Sequence, residues 1–156
     1  MHVSPAAGSE GYLTLLHEIG HALGLTHPFA STPPLSNKYD TLQYTIMSYT
    51  DAPLYANMDY PVTPMLYDIA AIQHLYGPNT SFHAGNDIYE LSDTTPTIMA
   101  IWDAGGMDTL SAENQSLAAT IDLHEGSYSS IGPDNLGKPA TQNIAIAFDV
   151  VIENAR

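Results

Sequence analysis

The stretch His17-Glu18-Ile19-Gly20-His21-Ala22-Leu23-Gly24-Leu25-Thr26-His27 decides how the first half of this chain must fold. It predicts a helix from about Glu10 to Leu23. Two histidines at i and i+4 project from one face of a helix, so both rings can reach one ion. Leu15, Ile19 and Ala22 fall on the opposite face at about 100° per residue. Gly24 ends the helix, because a left-handed backbone costs glycine little, and the sharp turn returns His27 as a third ligand. Three imidazoles around an ion with one open position form the ligand set of a catalytic zinc, which lowers the pKa of a water to about 7. Glu18, next to His17, is the candidate general base that takes the water's proton and passes it to a leaving amine. A helix carrying two histidines by chance would meet three fixed positions of H-E-x-x-H-x-x-G-x-x-H; here all five are met.

Met47, twenty residues past His27, lies in the stretch Thr45-Ile46-Met47-Ser48-Tyr49. Metzincin peptidases carry such a methionine turn downstream of the zinc helix, with its methionine beneath the metal. Met47 suits that place, since a thioether fills an irregular apolar gap. Between the two motifs, residues 25–45 hold Pro28, Pro33 and Pro34, show no period and read as a loop. A second helix is expected over 63–76, with Thr63 as N-cap, Pro64 as its first residue and an apolar stripe of Met65, Leu66, Ile69, Ile72, Leu75 and Tyr76. Gly77-Pro78 stops it. Beyond that point Ile88–Leu91, Thr97–Trp102, Ala119–Leu123 and Asn143–Val150 read as short antiparallel strands between Gly-, Asn- and Asp-rich turns. The boundary is therefore placed at residue 77. Residues 1–77 are the zinc-binding part and residues 78–156 a β-rich segment, and the fold class is α+β.

The chain has 156 residues, 44% of them hydrophobic, which suits one globular domain. Seventeen acids against three basic residues give a net charge of −14. That excludes nucleic acid and anionic membrane as natural partners and suits calcium, which takes many oxygens. Eleven of the acids lie after residue 77, so the second half is the expected home of calcium. With no cysteine, disulfides and thiolate ligands are excluded. No apolar run is long enough to span a bilayer, and MHVSPAAGSEG lacks the regions of a signal peptide. His2 is expected to be disordered, His74 to pack in its helix and His124 to lie on the surface.

Residues 12–77 resemble the serralysin subfamily of metzincins: HEIGHALGLTHP, TIMSY and PMLYDIAAIQHLYG are all similar to serralysin motifs. Astacins share the tyrosine after the methionine but normally contain disulfides, and matrixins lack that tyrosine, so both fit less well. The resemblance implies a secreted, extracellular zinc endopeptidase acting on protein or peptide substrates as a monomer, with Glu18 as base. It implies that Tyr49 is a further zinc ligand that swings away to stabilise the developing oxyanion. IWDAGGMDTLSAENQ, IDLHEGSYSSIG and VVIENAR are similar to the segment that leads into the family's calcium-binding β-roll and its glycine-rich (RTX-type) repeats. One calcium would then use His83-Ala84-Gly85-Asn86-Asp87 with Asp103, Gly105 and Asp108. A second would use Gly106, Asp108, Val151 and Glu153. His83 and Asp87 depart from the family's usual arginine and threonine, and both positions would serve through backbone carbonyls. The family's N-terminal sheet would lie upstream and its repeats downstream, so the chain is expected to be a fragment. The other reading is a zinc- and calcium-binding fragment without peptidase activity.

Overall fold

The computed structural model describes residues 6–156; His2 lies outside the described residues. Helix α1 spans Glu10–Ala22. The Ser9 hydroxyl caps it by accepting the Tyr12 N–H at 3.2 Å, relieving one of the unpaired amides of its first turn. Leu23 closes the helix, and Gly24 follows at φ +96, the left-handed turn that its lack of a Cβ allows. On α1 the histidine-bearing side is the packed one. His17 and Gly20 are buried, while Leu15 and Ile19 are 51% and 46% exposed.

Helix α2 spans Leu66–Tyr76 and ends at Gly77, φ +81. Its start corrects the sequence reading: Met65, not Thr63, is the N-cap, and Pro64 lies outside the helix. The Thr63 hydroxyl is engaged elsewhere, accepting the Ala100 N–H at 2.8 Å. Asp68 takes over the cap from inside, reaching back to the Met65 N–H at 2.8 Å. The expected stripe is buried only at its beginning, at Met65 and Leu66; Leu75 and Tyr76 are exposed, and so is His74, which does not pack.

Six strands follow: β1 (Ile88–Glu90), β2 (Met99–Ile101), β3 (Thr109–Ser111), β4 (Tyr128–Ser129), β5 (Ile144–Ile146) and β6 (Asn154–Ala155). They form two three-stranded sheets, ordered β1-β3-β6 and β2-β5-β4. The expected antiparallel pairing is corrected: β1·β3, β3·β6 and β2·β5 are parallel, and only β4·β5 is antiparallel. Parallel neighbours need a long return between them. The returns here run over irregular chain, as when Ile88 meets Thr109 and Met99 meets Ile144. Of the expected strand Ala119–Leu123, only Thr120 pairs, in an isolated bridge to Ser130.

One hydrophobic cluster joins the two halves. Leu25, Ile46, Met47, Met65 and Leu66 belong to it together with Leu110, Ile131, Ile144, Ile146 and Ile152. Burying each such side chain stabilises by about 1.5–3 kcal/mol. Polar bonds cross the same seam: the Tyr128 hydroxyl donates to the Gln43 carbonyl at 2.6 Å and the Tyr55 hydroxyl to that of Gln142 at 2.8 Å. Asn143, wholly buried at the head of β5, ties the loops around it. Its Oδ1 accepts from Ile131 N–H at 3.0 Å, and its Nδ2 donates to the carbonyls of Thr97 and Ile131, each at 2.8 Å. Asn143→Ala strands those buried groups and should lower the unfolding free energy by about 2–4 kcal/mol; a denaturant melt that moves by less than about 1 kcal/mol would contradict this account of the loop.

Candidate metal centres

The helix and its turn bring His17, His21 and His27 together. The Leu25 N–H bonds back to the Gly20 carbonyl at 3.0 Å, which folds the chain after Gly24 so that His27 faces the helix. His27 Nε2 lies 3.2 Å from His17 Nε2 and 3.1 Å from His21 Nε2. Nδ1 of His17 donates to the Ile46 carbonyl at 2.8 Å, and Nδ1 of His21 to the Leu25 carbonyl at 2.9 Å. A neutral imidazole carries one ring proton, so both rings must present a bare Nε2 lone pair inward. A single proton on His27 cannot fully satisfy two lone pairs, whereas a cation satisfies all three. A tetrahedral zinc with bonds of about 2.0–2.1 Å would hold its nitrogens about 3.3–3.4 Å apart, close to these separations. Burial, then the neighbouring His21 and His17, push the His27 pKa below the usual imidazole value, favouring the neutral form that ligates. The donor set fits zinc.

Residues 45–48 are built onto this helix. Gly20 is in contact with Met47: a Cβ on Gly20 would come 2.5 Å from Met47 Sδ, so a side chain there would displace the thioether. The turn is gripped from the other side by Asp68, which is 2% exposed. Its carboxylate accepts from the Thr45 hydroxyl at 2.5 Å and from the Ile46 N–H at 2.8 Å. The Thr45 oxygen in turn accepts the Met47 N–H at 3.0 Å. Ile46 thus connects Asp68, through its N–H, to His17, through its carbonyl. Tyr49 lies over the histidines and is 70% exposed, its ring stacked on His17 at 5.5 Å and tilted to His27 at 4.6 Å. Glu18 is exposed on α1 beside His17.

A second cluster is made of carboxylates. One oxygen from each of Asp87, Asp103 and Asp108 lies within 4.8 Å of the others. Asp108 is fully buried, and its Oδ2 has no hydrogen-bond partner. Burial raises the Asp108 pKa; the Asp87 N–H bond opposes this, and the charges of Asp103, Glu153 and Asp87 add to it. An orphan carboxylate oxygen among like charges is what a cation relieves. Bonds of about 2.3–2.6 Å keep a calcium ion's oxygens within about 5 Å of one another, so the cluster fits calcium. The Gly85 carbonyl sits where a Cβ on Gly106 would be, at 1.8 Å, so only glycine lets the two loops meet. Glu153 is joined to the cluster through its bond from the Asp108 N–H at 2.7 Å. It borders a cavity of about 610 Å³ with Asp103, Gly105, Gly106 and Val151. His83, at φ +50, turns its Nδ1 to Asp87 Oδ2 at 3.2 Å.

A family model described as Peptidase M10 serralysin C terminal matches residues 67–156. The chain belongs to the serralysin family. It is 36% identical over 177 residues to the serralysin of Proteus mirabilis, covering 99% of this chain and 35% of that protein. It is 38% identical over 175 residues to serralysin G of Dickeya chrysanthemi, covering 97% of this chain and 35% of that protein. Against metalloprotease AprA of Pseudomonas entomophila it is 32% identical over 182 residues, covering 99% of this chain and 36% of that protein. The chain thus spans about a third of the length of the curated serralysins it matches. The family model starts at Tyr67, so Asp68 and the carboxylate cluster lie inside it, while the histidines lie in the stretch that the relatives also cover.

Two residues around the three histidines escaped the sequence reading. Gly20 stood at a free position of the motif. Asp68 stood three residues after Met65, the spacing of a carboxylate that reaches back to cap a helix, and that was its one local signal. Burial, against the bonds from Thr45, Ile46 and Met65, pushes the Asp68 carboxyl up to about 6. The folded chain therefore holds this proton more tightly than the unfolded chain, whose carboxyl titrates near about 4. Stability from this group is full below about pH 4 and is lost as pH rises through about 6, by about 3 kcal/mol. Asp68→Asn keeps an oxygen for the Ile46 and Met65 amides and should flatten that fall in metal-free denaturant melts from pH 4 to 7. Parallel profiles for the two chains would contradict the assignment.

Proposed function

We propose that this chain carries the reaction centre of a zinc-dependent endopeptidase. The observation that carries the reading is the convergence of the His17 and His21 Nε2 atoms on His27 Nε2, at 3.2 and 3.1 Å, with Nδ1 of His17 and of His21 fixed on main-chain carbonyls. His17, His21 and His27 would hold the ion, with Tyr49 as a further ligand. Zinc bound there supplies Lewis acidity, making water a nucleophile near neutral pH and polarising the peptide carbonyl. Glu18 takes the proton of the attacking water as the new C–O bond forms, then delivers it to the amine nitrogen as the C–N bond breaks. The Tyr49 phenol, exposed over His17 and His27, donates to the carbonyl oxygen as its charge grows. Residues 45–48 are the methionine turn of this reading, supported by the fit of Met47 against Gly20.

In the same reading, residues 1–77 are the zinc-bearing part and residues 78–156 a calcium-binding segment at the start of a β-roll. The orphan oxygen of Asp108 and the parallel strands β1, β3 and β6 support this. Calcium there would be structural, neutralising the carboxylates that the loops bring together. Membership of the serralysin family supports a secreted enzyme acting on protein or peptide chains. No helix among the described residues is long and apolar enough to cross a membrane. A second reading, a zinc- and calcium-binding chain without turnover, is favoured by one observation. Among the described residues, Leu15 and Ile19 leave an apolar face of α1, the helix bearing Glu18, open to solvent.

Cleavage of a protein substrate with and without chelator separates the two. Glu18→Gln should keep zinc and lose at least about a hundredfold in turnover, and Tyr49→Phe should lower kcat more than it raises KM. Undiminished cleavage by the Glu18 variant would remove Glu18 as the base, and a Tyr49 effect confined to KM would remove the oxyanion role.

A further inference from the structure

The carboxylate cluster carries more than its acidic composition. Asp87 has both main-chain groups engaged: its N–H donates to Asp108 Oδ1 at 2.7 Å, and its carbonyl accepts the Thr109 N–H at 2.9 Å. Its side chain, by contrast, points into the cluster, with an oxygen within 4.8 Å of oxygens of Asp103 and Asp108. His83 Nδ1 steadies that carboxylate at 3.2 Å. Asp103 is fixed as well: one oxygen accepts the Gly105 N–H at 2.7 Å, the other the Tyr89 hydroxyl at 2.5 Å. Asp108 Oδ2 remains buried and without a donor.

We propose that Asp87 enters this ion site through its side-chain carboxylate rather than its main-chain carbonyl, so that the site holds three carboxylates and takes hard cations of high charge, calcium and trivalent lanthanides alike. The proposal rests on the reading that the cluster binds calcium. It differs from the expectation that position 87 serves through its carbonyl, and it follows from the placement of the Asp87 carboxylate beside those of Asp103 and Asp108, around the orphan Asp108 Oδ2. Ligand charge count tunes calcium affinity. Three carboxylates repel one another when no ion is present and attract it when it arrives, so Asp87 has opposite effects on the free and loaded states.

The test uses the full chain, with calcium chloride and terbium chloride as the only probes. Terbium emission is excited through Tyr89, whose hydroxyl already rests on Asp103. Asp87→Asn should weaken both ions by roughly tenfold or more, while the ion-free variant melts at the same temperature as the parent or higher. Asp51→Asn, which removes the same charge at an exposed position, should leave both affinities unchanged. Parent-like affinities in the Asp87 variant would overturn the proposal and leave the calcium reading standing. An ion-free variant that melts lower than the parent would also overturn it, since it would make Asp87 a structural prop. No saturable binding to the parent chain would overturn the calcium reading together with the proposal.

Discussion

Asp68 is taken out of water at the start of α2, and three donors converge on its carboxylate from Thr45, Ile46 and Met65. A buried carboxylate is costly unless such donors meet it, and each bond fixes something different. The Met65 bond sets where α2 begins. Those to Thr45 and Ile46 set the turn that lies beneath the histidines. Because the Ile46 carbonyl then receives the Nδ1 proton of His17, the tautomer of the first histidine depends on a carboxylate that does not touch it. Gly20 completes the arrangement, since a side chain there would have to push the Met47 thioether aside.

The two candidate centres solve the same electrostatic problem with opposite chemistry. At the histidines, backbone carbonyls absorb the ring protons and leave lone pairs facing one another. At the carboxylates, backbone amides and the Tyr89 hydroxyl satisfy some oxygens and leave Asp108 Oδ2 bare. In both places the protein has pointed electron pairs at a space that a cation suits. One continuous core lies between them, so Leu25 and Met47 on one side and Leu110 and Ile152 on the other are held by the same packing. The turn and the acidic loops are in this sense parts of one folded unit.

How far the sequence foretold this follows from the range of each interaction. The histidine centre was legible because helix geometry fixes i and i+4, and a glycine after a helix announces a turn; both are local facts. The carboxylates could be named from the family resemblance, yet the convergence of the Asp87 side chain on Asp103 and Asp108 could not, because it depends on how residues distant in sequence are folded together. Strand direction was misread for the same reason. Strands of two or three residues carry almost no period, and parallel pairing of Met99 with Ile144 is decided by packing across the whole second half. Thr63 and Pro64 carried a proper helix-start signal, but Ala100 captured the Thr63 hydroxyl and moved the start to Met65.

The account stands or falls on whether His17, His21 and His27 hold a metal. The direct measurement is a titration of the metal-free chain with zinc against a chromophoric chelator, repeated with cobalt to read its visible spectrum. The account predicts one tight equivalent, a cobalt spectrum of four- or five-coordinate geometry, and loss of both in His27→Ala. A chain that takes up no zinc, or one whose zinc is indifferent to the loss of His27, would contradict it.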